Sequence, residues 1–297
     1  MPAWQAGAHI EAAVRALLDQ TFEDFELIIS DNASTDGAWT LCQRLAREDR
    51  RIRLFRNHTN IGANRNYMAV LRHARAPLFK WASANDICAP VFLERCVDRL
   101  RQDASAVLAF SRSALFVADI AAAQPYDVDM DLSASRASER FDRLLLTMGL
   151  NNVINGVVRT EALRRALPMG SFQKADIALM AELALLGRFA LVPERLFFRR
   201  MSPDSATHLK DAREVDRHIE PNTRRPLRLQ AWRYHLTLLH IAARQRPISA
   251  DTLRTLRIAL RQTRWARAQL GRELWELVRP EGWDRNRRYG TEGAKSR

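Results

Sequence analysis

The sequence predicts an α/β fold: a mainly parallel mixed sheet with helices on both faces, followed by a helical appendage. Three observations predict it. Short apolar segments of strand length alternate with segments of helical periodicity through the first 110 residues. The strand at 25–30 runs into a carboxylate, Asp31, and then a polar loop, which is where open α/β sheets bind ligands. The 297 residues, 47% hydrophobic and 27% charged, suffice for one large domain with an appendage or for two domains.

Taken in order, residues 9–18 carry Ile10, Val14, Leu17 and Leu18 at helical spacing. After the strand at 25–30, Asp36 opens a helix over 36–47 with Trp39, Cys42, Leu45 and Ala46 on one side. Strands are expected at 52–55, 78–82 and 106–110, and helices at 60–73 and 92–100. Residues 118–137, rich in Ala, Asp and Ser and containing Pro125, read as a long loop. Helical periodicity returns at 138–147 and at 173–187, where Ile177, Met180, Ala181, Ala184 and Leu185 share a face. A strand interrupted by Pro193 is expected at 192–198. The pattern changes near residue 206, so the expected division is a motif-bearing domain over 1–205 and a basic helical region over 206–297. Amphipathic helices are expected there at 227–245 and 250–278, broken by Arg246-Pro247.

The net charge of +13 is uneven: residues 211–297 hold 20 Lys and Arg against 10 Asp and Glu. A basic helical region suits an anionic surface such as lipid, nucleic acid or a charged polymer. A solvated polar face on helices that pack their apolar side against the domain accounts for the same pattern. Nucleic acid is not expected, because no recognised motif or aromatic platform accompanies the charge. No window of 18 apolar residues and no signal-peptide pattern occurs. The expected location is cytoplasmic, at most peripheral to the inner face of the membrane. Cys42, Cys88 and Cys96 have no CxxC spacing and read as reduced core thiols.

Three carboxylates carry the chemistry. Asp31 can accept hydrogen bonds from ribose hydroxyls or a base N–H, the alternative being turn and cap bonds made by Asp31, Asn32 and Ser34. Asp86 follows an apolar strand and precedes Pro90, and a hard divalent cation takes carboxylate oxygen of this kind. Asp176 opens a helix, where it serves either as a general base or as a carboxylate favoured by the macrodipole. Asn60 and Gly62 either cap a helix or set its N–H groups near a ligand. Arg65, Arg199 and Arg200 can reach phosphate or lie solvated.

The order of these segments resembles family 2 glycosyltransferases, of the nucleotide-diphospho-sugar transferase superfamily, over residues 2–205. Met1-Pro2-Ala3-Trp4-Gln5-Ala6-Gly7 stands at the family's first loop, followed by Gln20-Thr21-Phe22 and by Asp31-Asn32-Ala33-Ser34-Thr35-Asp36. Arg51-Ile52-Arg53, Asn60-Ile61-Gly62 and Lys80-Trp81-Ala82-Ser83-Ala84-Asn85-Asp86 come next, the last at the family's metal motif. Asp176-Ile177-Ala178-Leu179-Met180-Ala181-Glu182-Leu183 resembles the helix that carries the catalytic base, and Asn152 and Asn155 precede an acceptor-side segment. The resemblance implies a GT-A fold and inverting sugar transfer from a nucleotide diphosphate sugar to a saccharide or lipid-linked acceptor, in the setting of envelope polysaccharide synthesis. It implies nucleotide-sugar contacts at Pro2, Asp31, Asn60, Arg65, Asn85 and Arg200, a Mg²⁺ or Mn²⁺ ion at Asp86, and Asp176 as base.

The chain departs from the family pattern in three places. Pro2 begins a loop with no strand before it, so the family's opening strand is expected upstream of Met1. Asn85 replaces the first acidic residue of the metal motif, so weak metal affinity is expected. Ser202 stands where relatives have a metal-binding His, and His208 has no matching position. The rival expectation is a degenerate protein that binds nucleotide sugar without turnover.

Overall fold

The computed structural model describes residues 1–126, 130–201, 211–223 and 227–278. Ser202, His208 and the expected domain boundary at 205 lie outside them. The chain starts in a strand. β1 (Pro2–Ala3) pairs parallel with β2 (Leu27–Asp31), which pairs parallel with β3 (Ile52–Arg56). Pro2, expected in a loop, lies opposite Ser30 on an outer strand of this sheet, where its missing N–H leaves the ladder intact. The Met1 α-amino group is buried, donates to Ile28 O at 2.6 Å and is pulled down to about 4 by that burial.

The second sheet holds β4 (Leu78–Lys80), β5 (Ile87–Cys88), β6 (Ala106–Phe116), β7 (Gln124–Tyr126), β8 (Val157–Arg159) and β9 (Arg188–Arg200). Its order is β4-β8-β6-β9-β5, with β7 paired to β6. Only β6 and β9 run parallel in it. Pro193 does not end β9. The register passes from Val192 to Arg195, so Pro193 and Glu194 leave the ladder as a bulge and no donor is lost. The short strands β5, β7 and β8 are too brief for periodicity to reveal, and β7 lies inside the expected long loop.

Helices α1 (Ile10–Leu18), α2 (Ala38–Glu48) and α4 (Phe92–Gln102) cover one face; α3 (Ala63–His73), α5 (Ala137–Thr147), α6 (Thr160–Arg165) and α7 (Ala175–Leu186) cover the other. Strand β2 shows the division: Leu27 and Ile29 face the first core and Ile28 the second. All three cysteines are buried and free, as expected. The C-terminal region supplies α8 (Ala212–Ile219), α9 (Gln230–Ala243), α10 (Ala250–Trp265) and α11 (Arg267–Leu277). Leu238, Ile241 and Ala259 join the α3–α5–α7 core, so these helices complete the domain rather than stand apart from it. The expected helix at 250–278 breaks at Ala266, and α11 turns onto the start of α9. There the Glu273 carboxylate accepts from Ala231 N and Trp232 N, and Trp232 Nε1 donates to Leu270 O at 3.0 Å.

Candidate active site

Asp31 ends β2 and is only 1% exposed. Its Oδ2 accepts from Arg56 Nε at 3.0 Å and Ser34 N at 3.2 Å. Its Oδ1 is buried with no hydrogen-bond partner among the described residues. An orphaned buried acceptor costs free energy that a ligand donor recovers. Arg56 also donates to Ser34 O and stacks over Trp39 at 5.2 Å. Arg56 is the residue that sequence reading missed here. Its signal was register: it ends β3 directly opposite Asp31. Gln5 and Ala33, both at positive φ, flank this strand end, and Gln5 N donates to Ser34 Oγ across the two loops.

Asn60 acts within an amide network. Its Oδ1 accepts from Asn32 Nδ2 at 2.7 Å and Gly62 N at 2.9 Å, and Asn32 Oδ1 accepts from Asn57 and from Ile61 N. Arg65 points to an exposed ion pair with Glu220 beyond α8, at 2.6 Å, and pairs with none of the three site carboxylates.

Asp86 lies between β4 and β5 and is 9% exposed. Its Oδ1 accepts from Arg200 N at 2.9 Å. Burial pushes its carboxyl up, against the pull of the Arg200 N–H, Arg199, Ser83 and Lys80. The half-buried Asn85 has its side-chain amide unengaged among the described residues, while its carbonyl accepts from Arg200 Nε. Arg200 is committed: it also donates to Val117 O and stacks over Phe116 at 4.4 Å. Lys80 donates to Trp81 O and Asn155 O beneath the site.

Asp176 stands in the first turn of α7, half-buried, and its Oδ2 accepts from Asn151 Nδ2 at 2.8 Å. The neighbouring Asn152 accepts from Arg199 at 2.9 Å, so adjacent asparagines hold the base candidate and a cation. Two elements fix the turn that launches α7. Asn64 Nδ2 donates to Gly170 O at 2.7 Å, and Gln230 Oε1 at the start of α9 accepts from Gln173 N at 3.0 Å. Tyr67 sits where Asp86 and Asp176 both act on it: burial and the two carboxylates push its phenol up to about 12. Tyr234 of α9 is likewise raised, by burial and by Asp176. The structure therefore brings Asp86, Arg199, Tyr67, Asn151 and Asp176 into one electrostatic neighbourhood. Neither tyrosine had a sequence signal, because each sits on a helix face that periodicity assigns to packing.

Among the described residues no three His, Cys, Asp or Glu side chains cluster as metal ligands. Asp86 offers one carboxylate, with Asn85 adjacent. That donor set suits a divalent cation that keeps waters and takes its remaining ligands from phosphate, as Mg²⁺ does, rather than one held in a protein cage. No helix among the described residues is long and apolar enough to cross a membrane.

The fold is shared with solved sugar transferases. Residues 1–349 of Staphylococcus aureus TarS, in complex with UDP, superpose at a TM-score of 0.63 with 13% identity, over 94% of this chain and 74% of that one. The mannosyltransferase PcManGT of Pyrobaculum calidifontis, in complex with GDP-Man and Mn²⁺, gives 0.50 with 15% identity, over 90% of this chain and 73% of that one. In sequence, an uncharacterized Mycobacterium tuberculosis protein is 28% identical over 218 residues, 70% of this chain and 67% of the relative. An uncharacterized glycosyltransferase of Haemophilus influenzae is 26% identical over 34% of this chain and 31% of its own length. The description "Glycosyl transferase family 2" matches residues 1–163, more than half of the chain, and this chain belongs to that family.

Proposed function

We propose that the chain transfers a sugar from a nucleoside diphosphate sugar to an acceptor hydroxyl, with inversion at the anomeric carbon. One observation carries the reading: adjacent asparagines hold Asp176 and Arg199, and the next residue, Arg200, holds Asp86 through its N–H. Asp86 is buried near the cations Arg199 and Lys80 and accepts from the Arg200 backbone N–H, a setting that suits a departing diphosphate. Asp176 is held by a neutral amide on Oδ2, which leaves Oδ1 to take a proton.

In this reading Asp31 Oδ1 accepts a base N–H and the Asn85 amide meets a ribose hydroxyl. Pro2 walls the base side, and Asn60 acts through Asn32. Arg199 and Arg200 balance the diphosphate, while Arg65 reaches it only by leaving Glu220. Mg²⁺ or Mn²⁺ at Asp86, when bound, takes up charge developing on the leaving group. Asp176 accepts the acceptor's proton on the opposite face. UDP-sugars come first in a donor screen because the TarS structures hold UDP and UDP-GlcNAc, with GDP-mannose next. The acceptor is a saccharide or a lipid-linked sugar.

Asp176→Asn should lower kcat by about 10²–10⁴-fold, the usual worth of a positioned base, with donor Kd unchanged. Undiminished turnover would remove Asp176 from the mechanism. The second reading, nucleotide-sugar binding without turnover, draws on the neutral Asn85 beside Asp86. It requires that a donor raise the melting temperature while no acceptor or hydrolysis product forms.

A further inference from the structure

The outward faces of α10 and α11 belong to no site described above. Leu253, Leu260, Trp265, Leu274, Trp275 and Val278 are between 46% and 79% exposed there. Arg254, Arg257, Arg264, Arg267 and Arg272 are exposed among them, and none is ion-paired within the described residues. Leu253, Arg257, Leu260 and Arg264 follow one another by four, three and four residues, so they form a single stripe on α10. The opposite side of α10, with Thr255 and Ala259, is buried against α5 and α9.

Two acidic residues of these helices are turned the other way. Asp251 accepts from Ser138 N and Ser138 Oγ. Glu273 is buried and caps α9. Glu276 is half-buried. The exposed side of these helices is therefore cationic and apolar at once, with Asp251 and Glu273 spent inside the fold.

We infer that α10 and α11 dock the chain on an anionic lipid surface. Acidic headgroups neutralise the arginines, and the boundary between headgroups and acyl chains takes the tryptophans and leucines. A second copy meeting this face across a two-fold axis would set arginines against arginines. A nucleic acid would reward the arginines and leave the leucines in water. No described helix spans a bilayer, so the contact is interfacial. Helix α9 packs between this face and α7, so docking sets the Asp176 side of the molecule at a fixed attitude to the lipid. The inference does not depend on which sugar is moved.

The test is co-sedimentation of the full chain with phosphatidylcholine vesicles, with and without phosphatidylglycerol, over a salt series. Binding is expected only with phosphatidylglycerol and is expected to fade with salt. Arg257→Glu with Arg264→Glu should weaken partitioning by at least about fivefold per arginine, the worth of one basic residue near an anionic leaflet. Leu260→Ser with Trp265→Ser should weaken it with the salt dependence retained. Matching melting curves show that the variants fold. Equal partitioning into neutral vesicles, or unchanged partitioning of the charge-reversal variant, would overturn the inference. So would vesicle-independent dimerisation that the same substitutions abolish, which would assign the face to a second copy.

Discussion

The α/β body and the C-terminal helices use charge in opposite ways. In the body, guanidinium groups are spent on nearby carboxylates and carbonyls: Arg56 on Asp31, Arg51 on Asp49 and Leu18 O, and Arg200 on Asn85 O and Val117 O. In α10 and α11 Asp251 and Glu273 are spent inward, and Arg254, Arg257, Arg264, Arg267 and Arg272 stay exposed, while Arg261 pairs with Asp142. A charge that is neutralised within the fold can shape a site, whereas one left over can recruit a surface. The two regions are nevertheless locked together mechanically. Gly62 meets Ile219, Gln230 holds Gln173, Glu182 pairs with Arg244, and Asp251 holds Ser138.

The largest expected effect comes from breaking that lock at Gly62. Its φ is +88°, and a Cβ there would stand 2.1 Å from Ile219 O, a backbone atom that cannot swing aside. Gly62→Ala should cost on the order of 3 kcal/mol of stability, from strain and from lifting α8 off α3. Denaturant melts would show it, with protease sensitivity rising in α8. A neutral Gly62→Ala would mean that α8 is not seated there and that the C-terminal region is only loosely joined.

Arg244→Ala is next. Glu182 is 3% exposed, its carboxyl is raised by burial, and Arg244 Nη1 donates to its Oε1 at 2.7 Å. Removing the arginine leaves a buried carboxylate with only the Leu167 N–H as hydrogen-bond partner among the described residues. The expected loss is about 2–3 kcal/mol, below the full cost of breaking a buried pair because Arg244 is partly exposed. Arg15→Ala, which breaks an exposed pair with Glu11, should leave the melting curve essentially unchanged. Equal losses from the two would erase the distinction between an ion pair that joins the regions and one that decorates a surface.

The smallest effect is a pH dependence confined to the C-terminal helices. His235 of α9 is held below 6.5 by burial and by Lys174, and His218 of α8 by burial. Well above 6.5 both are neutral, folded or unfolded. As pH falls below 6.5 the unfolded chain takes up protons first, so stability drops until the folded imidazoles also titrate. His235→Gln should flatten the fall in melting temperature across that window. An unchanged profile would move the acid sensitivity elsewhere.

Much of the body was legible because its signals are local. Helices α1, α2, α4, α5 and α7 and strands β2, β3, β4 and β6 fall where periodicity put them, with ends shifted by a few residues. Asp31 at the end of β2 and Asp176 at the start of α7 occupy the termini that their sequence context indicated, whereas Asp86 lies beyond the end of β4, directly before β5. The long loop at 118–137 was misjudged in part, because β7 gains its hydrogen bonds from β6 and not from its own sequence.

The sequence by itself determined the order of elements, the termini that carry carboxylates and the location of the excess positive charge, since each depends on residues close together in the chain. Only the tertiary structure decided what those groups meet. Asp31 is paired on one oxygen and orphaned on the other because β3 lies in register beside β2. Asp176 is joined to Asn151, with Tyr67 and Tyr234 beside it, because α3, α7 and α9 converge from residues far apart in the chain. Arg254, Arg257, Arg264, Arg267 and Arg272 face water because α5 and α9 claim the other side of α10 and α9 also draws in Glu273 of α11. Electrostatic environment is a sum over neighbours in space, and a linear sequence carries only the neighbours along the chain.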